Sequence, residues 1–515
     1  MDTVQLHLNG EALEVSGVSP TTTLLEYLRG DCGQPGTKEG CAEGDCGACT
    51  VVVIDPQAPG GPRFRAVNSC LMLLPLLHGK HVYTVESLRS GPPARPGEEG
   101  YHPVQEALVA KLGSQCGYCT PGVIMSMFEA CYREDLDAPW KLDDQMCGNL
   151  CRCTGYRPIR EATLQIAGQR PDDRFLTALK AAADGPPAPS LAYRYEPPAT
   201  SGHQSQRFWI PRTFEELFEI RAEHPQARLV VGATDLGLDV TKHGERFEAM
   251  ISLQGIESLR TLEHEAGQWR IGATVRLADL EDATDHALPP IARILRFFGS
   301  RQIKNNATVG GNLCNASPIG DLAPVLLSLD ATMVVRGPAG QRRVSIDDFF
   351  VGYRKTVLQP SELLVGVELA DPPAEAMIGA YKVSKRREMD ISAVAAGLRV
   401  DVVDGVVKAA RFGFGGMAAT PARASHAEAA VVGQPWSQAT CEAAAVALAK
   451  DFNPLSDHRG SAWYRATVAA NLLRGFHADT VNEPVPRLPD RPTGTLLGSS
   501  NLATDASTLP GEAQP

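Results

Sequence analysis

The stretch Cys41-Ala42-Glu43-Gly44-Asp45-Cys46-Gly47-Ala48-Cys49 constrains this chain more than any other. Three thiols at C-x4-C-x2-C spacing lie in a loop of small residues, with Cys70 available as a fourth. That spacing, closed by a later cysteine, is the one at which four thiolates hold a plant-type [2Fe-2S] centre. Gly40, Gly44 and Gly47 let the loop fold over a bulky inorganic core and turn backbone N–H groups toward its sulfurs. On this spacing alone a disulfide or a zinc site stays open.

The residues around the run predict a small β-grasp domain over 1–86. Val4, Leu6 and Leu8 alternate with polar residues, Asn9-Gly10 turns the chain, and Leu13 and Val15 resume the alternation of a hairpin. Leu24, Leu25 and Leu28 are spaced for a helix, and Val51 to Ile54 is an apolar strand after the cysteine loop.

A helical texture follows over 87–170. Val104, Ala107, Leu108 and Leu112 form one stripe leading to Gln115-Cys116-Gly117-Tyr118-Cys119-Thr120-Pro121-Gly122, where Thr120 reads as an N-cap and Pro121 as the first helical residue. Asn149-Leu150-Cys151-Arg152-Cys153 supplies a second pair just before a helix through Ile159 to Ala167. Helix N-termini favour anionic groups, so Cys116, Cys119, Cys151 and Cys153 can face one another around a second cluster. Cys-x-Cys is awkward for a zinc knuckle and favours iron–sulfur. Cys131 reads as a small buried hydrophobe; Cys32, Cys147, Cys314 and Cys441, without paired spacing, read as structural.

Residues 171–205, rich in proline from Pro186 to Pro198, read as a linker. The region 206–372 is mixed α and β. Arg228 to Val231 is a short buried strand entering Gly232-Ala233-Thr234-Asp235-Leu236-Gly237, and Asn306-Ala307-Thr308-Val309-Gly310-Gly311-Asn312 repeats the design before an apolar helix from Leu322 to Leu329. Two such loops can clasp a diphosphate from both sides. No G-x-G-x-x-G follows a strand, which argues against a Rossmann dinucleotide site. In 373–483, strands Ala393 to Val402 and Val406 to Phe414 flank the turn Asp404-Gly405, with helices near Gln438 to Lys450 and Ala462 to Leu473. Residues 484–515 read as a disordered tail.

A net charge of -11 argues against nucleic acid or an anionic membrane as partner. The longest apolar run, Cys70 to Leu77, is interrupted by Pro75 and falls far short of the about 20 residues that cross a bilayer. The N-terminus has no signal-peptide pattern, so a cytoplasmic, reducing location is expected, where the clustered cysteines serve metal and not disulfides.

Taken in order, CAEGDCGAC, QCGYCTPG, NLCRCTGYRP, LVVGATDLG, NNATVGGNLCNASPIGDLAPV, FFVGYRKTVL, VSKRREMDIS and FGGMAATPARA resemble segments of the small, iron–sulfur and FAD subunits of bacterial xanthine dehydrogenases, in the molybdenum hydroxylase family. The resemblance covers residues 1 to about 480. It implies a multidomain α+β fold: a β-grasp ferredoxin, a helical-bundle [2Fe-2S] domain, an FAD domain of vanillyl-alcohol-oxidase type and a C-terminal α+β domain. It assigns Cys41, Cys46, Cys49 and Cys70 to one cluster and Cys116, Cys119, Cys151 and Cys153 to the other. FAD would be met by Leu229, Val230, Val231, Gly232, Ala233, Thr234, Asp235 and Leu236 and by Thr308, Val309, Gly310, Gly311 and Asn312. Phe298, Asp321, Leu364 and Lys382 match further flavin-contacting positions, the Lys385 to Asp390 loop the segment passing the flavin ring, and Tyr353 the nicotinamide side.

By the same resemblance the chain carries electrons and has no catalytic residue of its own. Hypoxanthine or xanthine would be oxidised at the molybdopterin of a separate large subunit. Electrons would pass through the helical-domain cluster, the ferredoxin-like cluster and FAD to NAD+, in a heterotetramer of two small and two large subunits. An iron–sulfur/FAD subunit of a molybdenum hydroxylase acting on another N-heterocycle or an aldehyde, a zinc-stabilised scaffold, and a free-standing NADH-dependent electron donor are the alternatives.

Overall fold

The computed structural model describes residues 3–88, 100–201 and 204–481, so the tail expected at 484–515 lies outside the described residues. The first domain is a five-stranded sheet in the order Glu11–Val15, Val4–Leu8, His81–Tyr83, Thr50–Ile54, Phe64–Asn68. Its hairpin pairs Val4 with Val15 and Leu8 with Glu11. Asn9 and Gly10 both take positive φ, the conformation a tight right-twisted hairpin demands. Helix Leu24–Gly30 starts at a capping box in which Thr23 and Glu26 satisfy each other's backbone N–H, and it buries Leu24, Leu25 and Leu28.

Helices Pro103–Ala110, Thr120–Tyr132, Pro139–Met146 and Arg157–Ile166 form the second domain. Its core is continuous with one face of the ferredoxin sheet: Phe128 stacks edge-on at 5.0 Å against Phe64 and at 5.0 Å against Phe175. Burying an aromatic of this size contributes about 1.5–3 kcal/mol. Two local expectations need correction. Leu112 leaves the apolar stripe because its backbone turns left-handed (φ 55) past the helix end, leaving it 79% exposed. Cys119, not Thr120, is the N-cap, since its carbonyl already accepts the first helical bond from Val123.

The linker expected at 171–205 is also corrected, for it contains helix Arg174–Ala183 and strand Leu191–Tyr195. The Asp173 carboxylate caps the helix by accepting from Phe175 and Leu176 N–H at 2.9 and 3.0 Å, and Phe175, Leu176 and Ala182 complete the helical core. Leu191 and Tyr193 point inward from a strand paired with Gln206–Ile210. The prolines separate these elements without abolishing them.

The third region has two sheets. One runs Leu191–Tyr195, Gln206–Ile210, Ala249–Ser252, Arg228–Val230, and its Phe208 and Met250 share a core with Leu24, Leu28 and Leu73 of the ferredoxin domain. The other is antiparallel: Leu262–Glu265, Gln268–Gly272, Leu363–Ala370, Thr332–Gly337, Gly340–Ser345. The C-terminal sheet, Ala376–Val383, Val394–Val403, Val406–Gly415, Ala422–Arg423, packs with Gln438–Asp451 and Ala462–Thr480 and meets helix Leu322–Ser328 at Pro324. No helix among the described residues is long and apolar enough to cross a membrane.

Candidate functional site

The cysteine loop aims its backbone at sulfur. The N–H groups of Glu43, Asp45 and Cys46 lie 3.4, 3.3 and 3.3 Å from Cys41 Sγ. The Cys41 and Cys46 thiols are neighbours, as are those of Cys49 and Cys70. The Cys46 contact, with those N–H groups, holds the Cys41 thiol down at about 5, while Cys46 is pushed up. The second pair behaves alike, Cys49 lowered by Cys70 and Cys70 raised by Cys49.

In the helical domain Cys116 pairs with Cys153 and Cys119 with Cys151. The Tyr118 N–H, then Cys153, lowers Cys116; burial and the Cys151 contact push Cys119 up to about 12. Burial opposes ionisation of Cys151, but the Thr154 hydroxyl, 3.1 Å from its sulfur, together with the Thr154 and Cys153 N–H groups and Cys119, lowers it. The structure thus brings together all eight expected thiols, as two pairs in each site. Among the described residues no three His, Cys, Asp or Glu side chains converge on a point fit for one ion. Four thiols in two neighbouring pairs, at C-x4-C-x2-C spacing in one site and C-x2-C with C-x-C in the other, suit the donor set of a two-iron cluster. The residues present fit [2Fe-2S].

The two sites meet directly. Leu150 N–H, one residue before Cys151, donates to Cys46 O at 2.9 Å, and Asn149 Nδ2 donates to Gly47 O at 3.1 Å. Gly47 combines φ 69 with an approach so close that a Cβ would collide with the Gly148 carbonyl.

The two glycine loops also touch, since a Cβ on Gly232 would strike the Asn306 carbonyl. Val230, Ala233, Thr308 and Val309 are buried, Leu229, Val231, Gly232, Thr234, Leu236 and Asn312 half-buried, and Asp235 and Gly311 exposed. Ala233 is held at φ 55, and Gly310 N–H is fixed to Ala273 O at 2.7 Å. Asp321 and Lys382, 61 residues apart, pair at 2.8 Å, and Lys382 also donates at 2.9 Å to the carbonyl of Phe297, next to Phe298. Leu364 is buried in the core of this domain. Tyr353 is 63% exposed at a hairpin tip, and its neighbour Arg354 comes within 3.9 Å of Asp235. In the Lys385 to Asp390 loop Arg386 N–H donates to Asp390 at 2.8 Å, and Lys385 reaches the His458 carbonyl at 2.6 Å.

Sequence reasoning missed several supports. Ser392 donates to the free oxygen of Asp321 at 2.5 Å. Asp55 of the ferredoxin domain pairs with Arg276 at 2.6 Å beneath the glycine loops. Burial alone would raise its carboxyl, but Lys80, Arg276 and Arg260 hold it far below the usual range. Lys242 reaches Glu43 at 3.2 Å. None of these has a local spacing signature.

Paired thiols beside two touching glycine loops define the class, a two-centre iron–sulfur flavoprotein. Family models agree with each part: a 2Fe-2S iron–sulfur cluster binding domain at 6–74, a [2Fe-2S] binding domain at 84–164, an FAD binding domain in molybdopterin dehydrogenase at 203–372, and a CO dehydrogenase flavoprotein C-terminal domain at 379–480. Xanthine dehydrogenase of Emericella nidulans is 33% identical over 95% of this chain and 39% of its own length; that of Oryza sativa subsp. japonica is 33% identical over 80% and 35%. The chain therefore spans little more than a third of these relatives. Carbon monoxide dehydrogenase from Hydrogenophaga pseudoflava lacking the Mo-pyranopterin moiety superposes with TM-score 0.50 at 25% identity, over 52% of this chain and 94% of the other. Together these domains match the 2Fe-2S/FAD small-subunit region of the xanthine dehydrogenase-type molybdenum hydroxylases.

Proposed function

We propose that this chain is the electron-relay subunit of a xanthine- and hypoxanthine-oxidising molybdenum hydroxylase that reduces NAD+. When bound, two [2Fe-2S] clusters supply one-electron carriers and FAD the two-electron carrier that a nicotinamide acceptor requires. The eight cysteines would hold the clusters, and the loops at Leu229 to Leu236 and Thr308 to Asn312, with Phe298, Asp321, Leu364 and Lys382, would hold FAD. The observation that carries the reading is the Leu150 N–H to Cys46 O bond, which joins the two ligand loops through one hydrogen bond.

Cys49 and Cys70 are 2% exposed, whereas Cys116 and Cys153 are exposed. The shielded site therefore suits an internal relay and the open one suits exchange with a partner. Tyr118, Leu150 and Tyr156 project beside the open site with 51, 47 and 45% exposure, an apolar rim suited to cover by the molybdenum subunit. Lys382 orients Asp321, and Lys242 pairs with Glu43 of the first cysteine loop.

The test is to purify the complex through this chain, assay xanthine, hypoxanthine, other N-heterocycles, aldehydes and carbon monoxide as donors, and follow NADH formation by its absorbance. Xanthine-dependent NADH formation is expected. Turnover with a different donor, or none with NAD+, would reassign the substrate or the acceptor.

A further inference from the structure

Five polar residues of one short segment, Ser300, Arg301, Gln302, Lys304 and Asn305, are at most 4% exposed. Such residues are normally solvated, and burying them requires partners. Here several of the partners belong to the other two domains. Lys304 Nζ reaches Asp144, and Asn305 Nδ2 donates to Ala66 O at 2.9 Å. Gln302 Nε2 donates to Ser126 Oγ at 3.0 Å and to Asn149 Oδ1 at 2.9 Å.

Asn149 links the two sides. Its other amide atom donates to Gly47 O at 3.1 Å and to Thr50 Oγ1 at 3.3 Å, and Thr50 Oγ1 itself donates to Gly47 O at 2.7 Å. Gly47 lies between Cys46 and Cys49, and Asn149 lies two residues before Cys151. Two carboxamides in series thus run from the FAD domain to the seam between the two thiol loops: Gln302 fixes the plane of Asn149, and Asn149 fixes the distance to Gly47. The seam has no slack, because Gly148 packs against Gln302 Oε1 with no room for a Cβ, and Gly122 packs likewise against Gly47 O. The segment then runs directly through Asn306 into the second glycine loop.

We propose that Gln302 is a positioning residue through which the FAD domain sets the spacing of the two iron–sulfur centres. This rests on the cluster assignment above. Gln302 touches no thiol; it acts through Asn149 and, at 3.5 Å, through Thr50 Oγ1.

The test uses the full-length holoprotein with both centres reduced, and reads the low-temperature EPR broadening by which each paramagnetic centre senses the other. Gln302→Met keeps the length of the side chain and removes its donor; Gln302→Glu keeps polarity and removes the same donor. Asn305→Leu, in the same segment, removes an interdomain amide that does not reach a thiol loop. The expected result is loss of the wild-type broadening in both Gln302 variants at unchanged iron and flavin content, with the broadening retained in Asn305→Leu. Unchanged broadening in iron-loaded Gln302 variants overturns the proposal, as does an equal loss in Asn305→Leu. Loss of iron from both Gln302 variants assigns Gln302 to assembly and also overturns it. A wild-type protein without two distinct iron–sulfur signals overturns the cluster assignment itself, and the proposal with it.

Discussion

Lys304→Met separates a buried charge network from simple packing. The Lys304 side chain is 0% exposed, with Nζ 2.8 Å from Asp144 Oδ1 and 2.7 Å from Glu281 Oε2, and each carboxylate side chain is 7% exposed. Methionine keeps the stem and removes the charge, leaving two carboxylates facing each other. Removing one member of a buried ion pair costs about 3–5 kcal/mol, which at about 1.4 kcal/mol per tenfold is on the order of 10² to 10⁴ in an equilibrium constant. Asp144 belongs to the helical domain and Lys304 to the FAD domain, so the loss falls on their docking. Amide hydrogen exchange in helix Pro139–Met146 should accelerate by that factor. Adding Asp144→Leu and Glu281→Leu should return most of the protection, since an apolar replacement of the whole network is often neutral. The pH dependence has a definite sign. Burial already raises the Glu281 carboxyl with lysine in place. Without lysine the Glu281 carboxyl rises further, so the folded state binds its proton more tightly than the unfolded state does. The deficit should then shrink toward pH ~5 and grow toward pH ~8. Exchange within about twofold of wild type, or a deficit that grows as pH falls, would refute the reasoning.

Other outcomes follow from the same geometry. Gly47→Ala places a Cβ against the Gly148 carbonyl on a residue at φ 69, so it should lower the iron content of both centres, measured by metal analysis. Thr154→Val removes the hydroxyl 3.1 Å from Cys151 Sγ and should make the potential of the helical-domain centre more negative, because donors to sulfur stabilise the reduced cluster; a redox titration followed by EPR reads the shift. Lys382→Met strips Asp321 of its buried cation and should reduce bound FAD per chain, read by absorbance after release, with Lys382→Arg retaining more flavin than Met.

What the sequence discloses is what local spacing encodes. The thiol loops, the Val4–Val15 hairpin and the strands around Asp404-Gly405 all stand where periodicity and turn residues place them. Proline content misleads at 171–205, because a cap at Asp173 and the alternation of Leu191 and Tyr193 outweigh it. Arg301-Gln302-Ile303-Lys304-Asn305 has the composition of a solvated turn, and its burial depends on Asp144 and Asn149, more than 150 residues earlier in the chain. The Asp55 to Arg276 clamp, 221 residues apart, is invisible for the same reason. Long-range partners decide whether a polar residue is buried, and no local pattern records them.

The most direct test of the account is quantitative iron, zinc and flavin analysis of the chain purified anaerobically, with EPR of the reduced protein. Two [2Fe-2S] clusters and one FAD predict about four iron atoms per flavin and two separable EPR signals, of which Cys49→Ser should lose one and keep the other. Zinc in place of iron, absence of flavin, or a Cys49→Ser spectrum identical to wild type would contradict it.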